Sequence, residues 1–276
     1  MVTTTLSMYA GVKTLQTNPL GAKTMFPAIQ QTQLDLFKKH NQVALATWPG
    51  KAPSDWLHSV DPSLKGLYAL PSYGFTRTTL RALWANKAVS TEVCVLSTLA
   101  WGEMSTRNAR KLLPTMANWL PLCDEVRQGK HTRKSAFTAF AKLKAAKKMP
   151  GMGPAYFTKI IFFADPKGDG YILDQWTARS AHLLTGQSKW PAILVNTETR
   201  AKANTKPEAL RLRVVDRVTA DHYEDYCAMV EHIGATQSLH PHVVEERLFS
   251  AGGHSPHPWR HHLMTSWIAG PVPLYK

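Results

Sequence analysis

Asp174 stands directly before a helical pattern that runs from Gln175 to Leu184 and stops at Gly186. An Asp in that place accepts the free N–H groups of the first turn. Those amides and the helix dipole hold it ionised. Such a carboxylate can steady a positive charge growing on a sugar or activate water against it; it can also be a plain cap. Upstream runs Lys148-Met149-Pro150-Gly151-Met152-Gly153-Pro154-Ala155-Tyr156-Phe157-Thr158-Lys159. Two glycines two apart permit a tight reversal, and Pro154 suits the first turn of the helix that follows. The amides around Gly151, Met152, Gly153 and Ala155, with the positive end of that helix, form an anion site. On DNA the anion is a phosphate, gripped without regard to sequence.

The charge agrees. The 276-residue chain carries a formal net charge of +14. From Val126 to Ala164 there is no Asp or Glu, while Arg127, Lys130, Arg133, Lys134, Lys142, Lys144, Lys147, Lys148 and Lys159 fall inside. A polyanion is the expected partner, with Lys147 and Lys148 beside the hairpin as backbone contacts. Arg179, five residues after Asp174, is a further candidate for a phosphate. No apolar run approaches the ~20 residues of a membrane span, and the start of the chain shows no basic stretch followed by an apolar one, so no membrane partner is expected. Cys94, Cys123 and Cys227 are odd in number and set among apolar residues, which suits free thiols in a reducing compartment. His240, His242, His254, His257, His261 and His262 crowd one end, but no Cys joins them, and no metal site is expected.

Pro150-Gly151-Met152-Gly153 resembles the hairpin of the helix-hairpin-helix DNA glycosylase superfamily, which includes endonuclease III and the adenine-mismatch and 8-oxoguanine glycosylases. In that family the catalytic Asp lies 21 residues after the second hairpin glycine, and Asp174 stands at that distance from Gly153. Ala100-Trp101-Gly102, Tyr223 with Tyr226-Cys227, and Val244-Glu245-Glu246-Arg247-Leu248-Phe249 resemble the bacterial 8-oxoguanine-glycosylase-like branch, so the likeness spans roughly residues 75–250. The chain departs from the pattern at three points. Bifunctional members place a Lys two residues after the second glycine, where this chain has Ala155; Lys159, one turn on, is the candidate amine. The Pro that usually stands two residues before the Asp is Ile172 here. The cluster-binding cysteines of endonuclease III are absent.

The resemblance implies a mostly α, two-lobed fold with the active site in the cleft between the lobes. The hairpin motif would occupy about 140–186, and C-terminal helices at about 205–276 would pack with the N-terminal helices. It implies a double-stranded DNA substrate whose modified base is flipped out, Asp174 and Lys159 as the catalytic pair, and a bacterial, cytoplasmic, nucleoid-associated enzyme. No cofactor is expected beyond a possible monovalent cation at the hairpin, and no obligate protein partner. Trp101, Tyr156, Trp176 and Phe249 are candidates for the pocket wall, since aromatic faces stack on a flipped base. Oxidised guanine is the default base. The alternatives are a hypermodified cytosine of phage DNA, such as glucosylated hydroxymethylcytosine, removed in antiviral defence, and a non-catalytic hairpin protein that only binds DNA.

Several elements must position these residues. Residues 1–25 read as a loosely packed arm, and the spacing predicts a helix over 29–37. Trp48 to Ser63 reads as loop. Helices are predicted near 76–84, 93–101, 107–113 and 116–126, and an apolar stripe at Ala136, Phe137, Phe140, Ala141 and Leu143 predicts another. Ser188 to Pro207 reads as irregular. Thr219 caps a long helix with Tyr223 and Tyr226 on one side, a last helix covers 242–249, and the tail from His254 reads as loose.

Overall fold

The computed structural model of the chain describes residues 28–64, 66, 68–186, 193–195, 212–214, 216–251 and 255–268. The fold is mostly α, with twelve α-helices among these residues. They are α1 (Gln31–His40), α2 (Pro53–Val60), α3 (Arg77–Ala85), α4 (Thr91–Trp101), α5 (Thr106–Leu112), α6 (Leu120–Arg127), α7 (Arg133–Ala145), α8 (Pro154–Ala164), α9 (Gln175–Leu184), α10 (Ala220–Gln237), α11 (Pro241–Phe249) and α12 (Pro258–Ile268). Strands β1 (Ile193–Val195) and β2 (Leu212–Val214) pair as a short antiparallel ribbon, which the sequence pattern does not announce.

α8 is the hub. Phe157, Ile160, Ile161, Phe162 and Phe163 are all buried, so the helix is apolar all round, the mark of a helix enclosed by others. α3, α4, α6 and α7 pack against it. A second group of helices surrounds α9, formed by α1, α11 and α12, with α10 joining α11 to α7. The chain passes from the first group to the second through Tyr171–Asp174, and this short run is held on several sides. The Tyr223 hydroxyl donates to Tyr171 O at 2.9 Å and accepts from Tyr171 N at 3.1 Å. The Tyr226 hydroxyl donates to Ile172 O at 2.8 Å. Thr158 Oγ1 accepts from Leu173 N at 3.1 Å. Every one of these polar groups is buried and partnered, as a buried backbone requires, and together they fix where Asp174 emerges.

The stretch read as loop over 48–63 contains α2. Pro53 stands at the start, where a missing N–H costs nothing, and Trp56, Leu57 and Val60 are buried. Likewise the tail read as loose contains α12. The Trp259 and Phe37 rings meet edge-to-face with centroids 5.1 Å apart, and Trp259 donates Nε1–H to Ser180 Oγ at 2.9 Å; packing makes a helix that propensity does not. The helix predicted over 116–126 begins as a 3₁₀ turn, Leu113–Asn118, and becomes α6 only after Trp119. The arm predicted at 1–25, most of 188–207 and His254 lie outside the described residues. All three cysteines are buried free thiols.

Candidate active site

Asp174 caps α9. Its Oδ1 accepts from Trp176 N at 2.9 Å and Thr177 N at 3.3 Å, while its own N–H donates to Thr177 Oγ1 at 2.9 Å. The other oxygen, Oδ2, accepts from Lys159 Nζ at 3.1 Å. Lys159 projects from α8, its ammonium also donates to Ala155 O at 3.0 Å, and its stem lies against Gly102: a Cβ at that glycine would stand 3.0 Å from Lys159 Cδ. Both residues are nearly enclosed, at 7% exposure for Asp174 and 6% for Lys159. Burial pushes the Asp174 carboxyl up, but the Lys159 charge and the capping amides outweigh it and hold the group below its ordinary range.

The pair opens onto a cavity of about 230 Å³ lined by Trp48, Trp101, Trp176, Phe249 and Arg260. Trp101 stands edge-on to Phe163 at 5.0 Å, and its carbonyl accepts from Trp48 Nε1 at 3.2 Å. A second cavity of about 690 Å³ is lined by Tyr156 and the hairpin residues Gly151, Gly153 and Ala155. The two share Gly102, Lys159, Asp174 and Gln175, so one cleft leads from the hairpin to the aromatic pocket. Of the four aromatics expected as pocket wall, Trp101, Trp176 and Phe249 surround the smaller cavity; Tyr156 lines the larger.

The hairpin turns on Gly151, at φ +85°, where a Cβ would lie 2.6 Å from Asn108 O. Only glycine fits both constraints. Met152 differs from its expected role. Its side chain is buried and its N–H donates to Met149 O at 3.3 Å, so its amide is occupied within the turn. The N–H groups of Gly151, Gly153 and Ala155 have no acceptor among the described residues; they are the amides available to an anion.

The basic run is less bare than its sequence. Arg127 is buried and donates to the carbonyls of Trp84, Asn86 and Val89. Arg133 pairs with Glu224 at 3.0 Å and with Glu231, Lys134 with Asp221 at 2.6 Å, and Lys144 with Asp216 at 2.9 Å. Lys130, Lys142, Lys147 and Lys148 are exposed and make no ion pair among the described residues. Arg179 is corrected more sharply. It is 5% exposed, with its guanidinium 4.9 Å from the Trp176 ring centroid, so it is buried against the pocket wall, not set on the surface where a phosphate is expected.

Sequence reasoning misses three features here. Trp48 comes from a stretch whose composition reads as loop, and Arg260 from one read as loose tail. The Arg77–Glu245 ion pair is buried behind the pocket, with Arg77 stacked 5.4 Å from Trp101 and 5.5 Å from Phe249; burial carries the Glu245 carboxyl up to about 7, against the pull of Arg77. Among the described residues no group of three His, Cys, Asp or Glu side chains converges as metal ligands, and no helix is long and apolar enough to cross a membrane.

A helical scaffold, a hairpin with open amides and a buried Lys–Asp pair under an aromatic pocket are consistent with a mostly α fold of the helix-hairpin-helix glycosylase type. A family model described as "Putative 8-oxoguanine DNA glycosylase OGG-like protein" matches residues 37–249, well over half of the chain. The chain belongs to this OGG-like family. Comparison with curated proteins and with solved structures gave no match.

Proposed function

We propose that this protein excises a modified base from double-stranded DNA, with Asp174 and Lys159 as the catalytic pair and oxidised guanine as the first substrate to try. The observation that carries the reading is the 3.1 Å contact between Lys159 Nζ and Asp174 Oδ2 at the junction of the hairpin cavity and the aromatic pocket. A phosphate held on the hairpin amides and on Lys147 and Lys148 brings the adjoining nucleotide to the cleft. The flipped base enters between Trp101, Trp176 and Phe249. Asp174 stabilises the positive charge that builds on the sugar as the C1′–N bond breaks.

Two routes then diverge. In the first, water adds to C1′ and the base leaves with the bonding electron pair and takes up a proton. In the second, the Lys159 ammonium first gives up a proton to water, and the free amine forms the new bond to C1′ while the base leaves with the C1′–N electron pair and takes up a proton. The sugar then opens to a Schiff base, and loss of the 3′ phosphate by β-elimination nicks the strand. No cofactor enters either route. The reach of Lys159 Nζ to Asp174 supports the second.

The test is incubation of the protein with duplexes carrying oxidised guanine or hypermodified cytosine, with mass spectrometry of the released base. Release by the native chain and its loss in Asp174→Asn, with duplex affinity kept, is the expected result. Borohydride trapping of a protein–DNA adduct, absent in Lys159→Ala, reports the second route. Tight duplex binding without release of any base would leave only a DNA-binding role.

A further inference from the structure

Neither route uses Arg260. Its guanidinium carbon lies 4.2 Å from the Trp176 ring centroid and 4.8 Å from that of Phe249, and Nη2 donates to Phe249 O. Nε is buried and has no hydrogen-bond partner among the described residues. Nor does any ion pair there include Arg260. The acid nearest in role, Asp174, already has Oδ1 on two amides and Oδ2 on Lys159. The other acid of the cavity, Glu103, is half-exposed and faces Lys51 at 3.9 Å. Arg179 adds a second guanidinium at the same Trp176 ring, and burial together with its neighbour's charge lowers it to about 10.

A cationic fork thus sits over two rings, at the wall of an aromatic cavity, with a donor unused and no ion pair among the described residues. A buried donor left without an acceptor is costly, and a guanidinium is built for planar, oxygen-bearing groups. We propose that Arg260 is the base-reading residue of this pocket, and that the base it reads carries an added oxygen acceptor. This rests on the base-excision reading above and narrows it. A ring carbonyl on an oxidised purine and a hydroxyl on a modified pyrimidine offer the same chemistry to the fork.

Binding separates the two sources and stands apart from catalysis. The full chain is titrated at fixed salt against duplexes whose target nucleotide is a 2′-fluoroarabino analogue, which resists glycosidic cleavage. The targets are guanine, 8-oxoguanine, cytosine, 5-hydroxymethylcytosine and an abasic analogue. The native chain is expected to prefer one oxygen-bearing base over its parent by about tenfold. Arg260→Met brings that ratio to near one, with abasic-duplex affinity and melting temperature unchanged, and Arg260→Lys restores part of it. A ratio unchanged in Arg260→Met, or no preference in the native chain, overturns the inference. So does a variant that loses melting temperature and abasic affinity while its ratio persists, since Arg260 is then only a brace between two rings. Should Arg260→Met fail to fold, Arg260→Lys and Arg260→Gln give the same reading from a fork replaced by smaller donors, and an unchanged ratio in both overturns it. Preference without base release on ordinary nucleotides refutes base excision and leaves Arg260 as reader; release with an Arg260-independent preference does the reverse.

Discussion

Replacing Lys159 and Asp174 singly and together tests whether their contact is an energetic unit. Asp174→Asn keeps an oxygen to accept from Trp176 and Thr177, so the cap of α9 survives. It leaves the Lys159 ammonium facing a neutral amide at a site where the two side chains are 8% and 10% exposed. Removing one partner of a buried pair costs about 3–5 kcal/mol. Lys159→Met is milder, because Asp174 retains two amide donors; losing one charge-assisted hydrogen bond costs about 1.5–3 kcal/mol. The double variant removes both charges and keeps the cap, so its cost falls near that of Lys159→Met alone. The coupling, the double loss minus the sum of the single losses, is then expected to be about 3–5 kcal/mol in size. At roughly 2–4 °C per kcal/mol, Asp174→Asn melts about 6–20 °C lower, and adding Lys159→Met recovers several degrees. Asp174→Asn and the double variant are expected to lose base release, so the cycle is read from denaturant titration and thermal melts. The folded-state Asp174 carboxyl lies below its unfolded value near 3.9. Its stabilisation is therefore complete above that value and lost as pH falls through the folded one. The gap between native and Asp174→Asn stays constant from about pH 5 to 7 and closes below about pH 4. Single losses that add to the double within about 0.5 kcal/mol refute the ion pair as a coupled unit.

Gly102→Ala sets a Cβ 3.0 Å from Lys159 Cδ and 3.3 Å from Cε. The stem gives way, and borohydride-trapped adduct formation is expected to slow about 100-fold while the melting temperature barely moves. Gly151→Ala meets Asn108 O at 2.6 Å from a φ of +85°, so the hairpin must shift; a loss of about 1–3 kcal/mol of stability and of duplex affinity together is expected in melts and titrations. Glu245 has its folded pKa raised from 4.5 to about 7. A raised acid contributes stability that is full below its unfolded value and lost as pH rises through the folded one. Relative to Glu245→Gln, the native chain therefore loses stability between about pH 4.5 and 7, at up to about 1.4 kcal/mol per pH unit, measured by denaturant midpoints across that range. Finally, four exposed unpaired lysines predict a slope of log affinity against log salt near −3.6, about −0.9 for each phosphate contact. A slope near −8, as all nine cations of the run together would give, refutes the pairing.

The hairpin and its acid are legible in sequence because each has a local signature. Gly151 and Gly153 mark a reversal, Pro154 a helix start, and Asp174 a cap, and none of these depends on a distant residue. Lys159 is legible in part: its place one turn beyond Ala155 fixes its side of α8, while its contact with Asp174 depends on the four anchors of Tyr171–Leu173, three of them from Tyr223 and Tyr226 on α10. Arg179 misleads for a related reason. Charge suggests a surface, but its position along α9 turns it inward, beneath Trp176.

The basic run shows where local reading ends. Its nine cations count equally in sequence, yet the fold gives them different tasks. Arg127 ties α6 to the end of α3 through three carbonyls. Arg133 and Lys134 bind α7 to α10 through Glu224, Glu231 and Asp221. Those acids stand about 90 residues away in sequence, so no window along the run contains them. What remains exposed and unpaired in the run is Lys130, Lys142, Lys147 and Lys148, the last two directly before the hairpin. A uniformly basic face would attract DNA in any register. Charge is cancelled on the flank toward α10 and again at Gly153, where Lys144 meets Asp216, so Lys147 and Lys148 are the exposed cations left next to the hairpin, and a phosphate backbone would be drawn to that one edge of the cleft.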